Sequence, residues 1–178
     1  MKTTIYLPMA AMLLTAALAV SAAAQNQVPF KGSLQGQEID IPQGGPPPTT
    51  LSVNGRATGI ATHVGQFSFT YQLTVTLANG TATGSAHLIA ANGDSIYTTI
   101  AGSSVPATPG FGSITEINTI TGGTGRFAGA QRSFEVAIGN LANRFTSGSF
   151  QGTITPPGAA ALSRHKEIAE LNSFPESR

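Results

Sequence analysis

The chain has no cysteine, so neither a disulfide framework nor a lipid-modified thiol is open to it. Its fold must be held by its core alone. Charge is scarce as well: Asp, Glu, Lys and Arg make up 10% of 178 residues, against roughly a quarter in ordinary soluble domains. The surface must therefore be built from Thr, Ser, Asn, Gln and Gly. Nine Lys and Arg stand against eight Asp and Glu, and setting Lys2 aside leaves the signs equal, which excludes the basic footprint that nucleic acid or an anionic membrane requires. After Val20 no long apolar run follows, so membrane insertion of the mature chain is not expected.

The one hydrophobic run belongs to a leader. Lys2 provides a positive start, "AAMLLTAALAV" (Ala10 to Val20) is a short apolar segment, and "SAAAQ" offers an Ala22-x-Ala24 cleavage site. Residues 1–24 thus read as a signal peptide and the protein as secreted or periplasmic. Residues 25–157 are one domain's worth of chain. Residues 158–178, beyond Pro156-Pro157, read as a C-terminal tail, a short helix or a loose terminus.

The domain is a succession of Thr-, Val-, Ile- and Phe-rich runs broken by glycine turns, the spacing of a sandwich or barrel. "VPFKGSLQG" opens it, and "DIPQGGPPPTT" reads as a loop. "FSFTYQLTVTL" places Phe67, Phe69, Tyr71, Leu73, Val75 and Leu77 on one face and polar residues on the other, a half-buried strand. Asn79-Gly80 and Asn92-Gly93 are favoured two-residue hairpin turns. Taken so, they pair Ala78 with Thr81 and Ala91 with Asp94. Tyr71, Leu88 and Tyr97 then meet on the inner face, large beside small as in a closed barrel, and Ile89, Ile96 and Ile100 form an apolar outer row. Monomers rarely expose such a row, so a symmetric homo-oligomer is expected. His87, on the outer face without a second ligand at suitable spacing, reads as a polar surface residue and not a metal ligand.

"TGGTGRFAGA" (Thr121 to Ala130) imitates a dinucleotide fingerprint, Gly123-x-Gly125-x-x-Ala128. That fingerprint works only if a helix opens at the loop and aims its N-terminus at the pyrophosphate. Here "QRSFEVAIGN" follows, with Phe134, Val136 and Ile138 alternating as in a strand. The stretch reads as a turn in which glycines supply positive φ and Phe127 folds back as a plug over the barrel end. With "RFTSGSFQGTIT" as the last strand, about eight are counted, and no nucleotide, metal or other cofactor is called for.

Gly122-Gly123-Thr124-Gly125-Arg126-Phe127 with Ala130, together with Gly55-Arg56-Ala57-Thr58-Gly59, resemble the allene oxide cyclase and dirigent barrels and their bacterial relatives, over about Ser52 to Thr155. The resemblance implies an all-β, eight-stranded antiparallel barrel, commonly trimeric, with a mostly apolar cavity that steers a reactive small molecule to one cyclised or coupled isomer. Dirigent proteins carry glycine where this chain has Arg132, and their catalytic acids and tyrosines lie outside the matching stretches. No catalytic role is therefore carried over.

Two readings stand side by side. In the first, the barrel binds a small apolar ligand and acts as a cyclase or isomerase by confinement. Tyr71, Leu88 and Tyr97 would line the site, and Glu116, Arg132 and Arg56 are the candidate catalytic groups. Glu116 shares the parity of Ile114 and Ile120, and Arg132 that of Phe134. The second reading is a non-catalytic exported scaffold. A hollow interior favours the first, a filled one the second.

Overall fold

Alternating apolar and polar side chains carry the chain through eight strands: β1 (Val28–Gln43), β2 (Thr50–Ala61), β3 (Gly65–Thr76), β4 (Thr81–Ala90), β5 (Ser95–Pro106), β6 (Phe111–Gly123), β7 (Arg132–Leu141) and β8 (Phe145–Ile154). Each pairs antiparallel with its sequence neighbours, and β8 returns to β1 to close the barrel. This computed structural model describes residues 27–106, 111–141 and 144–171. The leader read in residues 1–24 lies outside them, as do residues 172–178 of the tail. The tail is helical as far as it is described, forming α1 (Ala159–Leu171). Leu162 N–H donates to the Gly158 carbonyl at 3.1 Å at its start.

The interior is filled from one end. Phe30, Phe134 and Phe150 meet with ring centroids 5.1, 5.2 and 5.1 Å apart, and Phe67 joins Phe150 at 6.1 Å. Burying four such rings is a large apolar contribution to the fold. Large side chains lie over residues that lack them. The Tyr71 ring covers Gly55, its partner on β2, so closely that a Cβ there would fall inside the ring.

The glycine loop is the turn expected of it. Gly125–Phe127 form one 3-10 turn, the chain enters β7 rather than a helix, and Phe127 seals the barrel end at 1% exposure. Arg126 straps the plug down: Nε pairs with Asp94 Oδ2 at 3.1 Å, Nη2 donates to the Val64 carbonyl at 3.2 Å, and its carbonyl accepts from Gly158 N–H at 2.7 Å. Gly125 has φ +57 and its missing Cβ would collide with the Asp94 carboxylate. Gly125→Val therefore combines backbone strain with loss of the Asp94–Arg126 pair and should destabilise by about 1–3 kcal/mol. A thermal melt indistinguishable from that of the native protein would refute this.

Both hairpin registers differ from the two-residue turns expected. At Asn79-Gly80, Thr76 pairs with Thr81, and Asn79 Oδ1 accepts from Thr81 N–H at 3.1 Å and from its hydroxyl at 2.8 Å. Pairing moves by an even step, so the same residues stay inside and Leu88 faces Phe69 instead of Tyr71. At Asn92-Gly93 the step is odd. Ala90 N–H donates to the Asp94 carbonyl at 2.8 Å, Ile89 pairs with Ser95 and Leu88 with Ile96. An odd slip exchanges the two faces of a strand. Ile96 and Ile100 are consequently core residues, at 0% and 3% exposure, and Tyr97 is outside at 42%. The expected outer row of isoleucines does not exist; Ile89 alone of the three lies on that face, half-buried. Self-association inferred from that row loses its basis. The physical reason is that the odd step buries two isoleucines where the even one would bury a tyrosine and a threonine.

Candidate functional site

Away from the phenyl cluster the barrel interior becomes polar. On β1 the inward parity of Phe30 and Leu34 continues to Glu38, which is buried at 5% exposure, while Ile39 and Ile41 point outward at 54% and 46%. The usual pattern is inverted there, because the strand extends into what the Pro- and Gly-rich sequence presents as a loop. The same parity on β6 buries Glu116 and Asn118 at 2% and 0%, and on β8 it buries Thr146 at 2%. From β3, Tyr71 donates its hydroxyl proton to Glu38 Oε2 at 2.8 Å. From β5, Thr98 Oγ1 donates to Asn118 Oδ1 at 2.9 Å.

These groups perturb one another. Burial, then the charge of Glu38, push the Glu116 carboxyl up to about 7, partly offset by the Asn118 side chain. Tyr71 is raised by burial first and then by Glu38, both as a charge and as an acceptor, so it remains a protonated donor throughout the ordinary pH range. Three polar atoms in the cluster, Glu116 Oε1, Asn118 Nδ2 and Thr146 Oγ1, are buried without a hydrogen-bond partner. The Asn118 amide and the Thr146 hydroxyl influence Glu116 and Tyr71 without attaining hydrogen-bond geometry. A buried group left so costs about 1–3 kcal/mol. The arrangement offers a carboxyl that exchanges its proton near neutrality, flanked by an amide donor and a hydroxyl.

The candidate residues are divided between the two faces. Glu116, Tyr71 and Leu88 are inside, Leu88 at 2% exposure as packed core. Tyr97 is outside by the register slip. Arg56, paired across strands with Gln37 and Thr70, is exposed on the outer face. Arg132 shares the parity of Phe134 but stands exposed at the head of β7, where its φ of +104 departs from strand geometry. The structure thus brings Tyr71 and Glu116 into one cluster and leaves both arginines out of it. Glu38 and Asn118 are the cluster members sequence reasoning did not find. Inward parity was the available signal: Phe30, Leu34, Glu38 on one strand, Glu116, Asn118, Ile120 on another.

Outside, Arg56, Thr70, His87 and Tyr97 occupy one cross-strand row on β2 to β5. The His87 and Tyr97 rings stack with centroids 4.6 Å apart at 18°. They lie in a surface groove of about 1130 Å³. Among the described residues no three His, Asp or Glu side chains converge as a metal site, and no helix is long and apolar enough to cross a membrane. Comparison of the chain with protein-family models, with curated proteins and with solved structures finds no match.

Proposed function

We propose that the protein is an exported barrel that binds a small, largely apolar molecule with a polar head and rearranges it by proton transfer, as an isomerase or cyclase that needs no cofactor. One observation carries this reading: a carboxyl raised toward neutrality is buried inside the barrel beside polar atoms that lack a hydrogen-bond partner. An interior seldom keeps such atoms unless something else bonds them. A carbonyl or hydroxyl head would accept from Asn118 Nδ2 and from Glu116 in its protonated form. Glu116 then donates or withdraws the proton, since a group titrating near working pH serves in both directions. Burial, and then the charge of Glu38, hold Glu116 in that range, and Tyr71 fixes Glu38. The alternative of a scaffold draws support from the phenyl cluster, which fills one end of the barrel.

The test uses a panel of cyclic and unsaturated ketones and alcohols, followed by native mass spectrometry and product analysis. At least one compound should bind at one equivalent and be isomerised. Glu116→Gln should retain binding and lose turnover at least about a hundredfold, the lower range for removal of a general acid–base group. No binder, together with a crystal structure in which ordered waters satisfy the three polar atoms, would leave the scaffold reading.

A further inference from the structure

The outer groove has features that the interior site does not use. Its row from Arg56 to Tyr97 spans three strand spacings, about 14 Å at roughly 4.8 Å each. Tyr97 rests one ring face on His87. Its partner on the other side is Gly122, which has no side chain and opens on space in which an added Cβ would meet nothing within 4 Å. Tyr97 is exposed to 42%, and Thr121, whose hydroxyl donates to the Tyr97 carbonyl at 3.2 Å, stands beside it in the groove wall. His87 Nε2 is sealed from solvent without a hydrogen bond.

A second row on the same face, Asn54, Gln72, Ser85 and Thr99, runs parallel to the first. It supplies amide and hydroxyl groups that both donate and accept. At the far end, no carboxylate pairs with Arg56 among the described residues. Arg144 lies in the groove wall too, and among the described residues the one carboxylate of that wall, Glu38, is buried inside the barrel. The surface is therefore a planar apolar platform, a strip of neutral hydrogen-bonding groups and an unpaired cation, in a line longer than one sugar ring.

We propose that this groove binds a short acidic oligosaccharide. The exposed part of the Tyr97 ring stacks on the C–H face of one sugar ring. The Asn54 to Thr99 row bonds hydroxyls along the chain, and Arg56 takes the carboxylate of a uronate residue, for which its guanidinium has the matching fork. Too few cations line the groove for a long polyanion, which is held by many phosphate contacts.

Calorimetry with tetragalacturonate, with cellotetraose as the neutral equivalent and tripolyphosphate as a charge control, tests this directly. Tyrosine emission provides a second readout, because the sequence has no tryptophan and three tyrosines, of which Tyr6 falls in the expected leader and Tyr71 is buried. Tetragalacturonate should bind about tenfold more tightly than cellotetraose, a difference of about 1.4 kcal/mol, and perturb Tyr97 emission. Arg56→Gln should erase that preference, and Tyr97→Ala should weaken both sugars at least tenfold. Both side chains are outside the core, so both variants should stay folded, with Tyr97→Ala losing only the modest stabilisation of its stack on His87. No heat with tetragalacturonate at millimolar concentration, equal binding of the two sugars, or equal binding of tripolyphosphate would each overturn the proposal. None of these outcomes bears on the Glu116 site.

Discussion

Replacing Phe127 by alanine should destabilise the protein by about 3–5 kcal/mol, the range for emptying a fully buried phenyl site. The ring is 1% exposed and closes the barrel at the end where the phenyl cluster lies. Its loop cannot collapse to refill the space. Arg126 holds that loop to Asp94 and Val64, and Gly125 is already at the limit of what its surroundings admit. The cavity term should therefore be near full size. Urea unfolding checks this: the midpoint should fall with an unchanged slope, and Phe127→Leu should lose distinctly less. A loss under about 1 kcal/mol for the alanine variant would mean that the loop covers the barrel without sealing it.

Glu116→Gln should stabilise the protein, and only at the upper end of the pH range. The carboxyl is raised from 4.5 to about 7 in the folded state. Below about 4.5 the group is protonated whether the chain is folded or not, and it contributes no penalty. Between these values the folded protein holds a proton that the unfolded chain has released, so stability falls as pH rises. Above 7 the full penalty is present, roughly 3 kcal/mol at 1.36 kcal/mol per pH unit. Glutamine keeps the shape of the protonated acid and cannot ionise. The variant should match the native protein near pH 4.5 and exceed it by roughly that amount at pH 8. Parallel stability curves across this range would show that Glu116 does not titrate in the manner described.

Much of the barrel was legible because a half-buried strand writes its own pattern. Phe67, Phe69, Tyr71, Leu73 and Val75 alternate without exception, and all are buried. The glycine loop was legible too, since "SFEVAI" after it alternates as a strand does and cannot open a helix. The candidate site was only half legible. Glu116 was found through the parity of its strand. Glu38 was not, because at that end of β1 the isoleucines face outward and the carboxylate inward, and prolines nearby suggest a loop. Hydrophobic alternation there points to the wrong face.

What the sequence determined by itself was a count of about eight strands, the hairpin order of the central ones and the inner face of most of them. Those follow from local chemistry: period-two alternation, turn residues at short intervals, and glycine where the backbone needs it. What only the tertiary structure decided was register and closure. Two hairpins with the same Asn-Gly signal closed on connections of different length, and the odd one turned Tyr97 outward and Ile96 and Ile100 inward. Closure of β8 on β1 then brought Glu38, Tyr71 and Glu116, distant in sequence, into one buried cluster. Local propensity does not distinguish those registers; the free energy of burying two isoleucines does, and it arises only when the strands around them are in place.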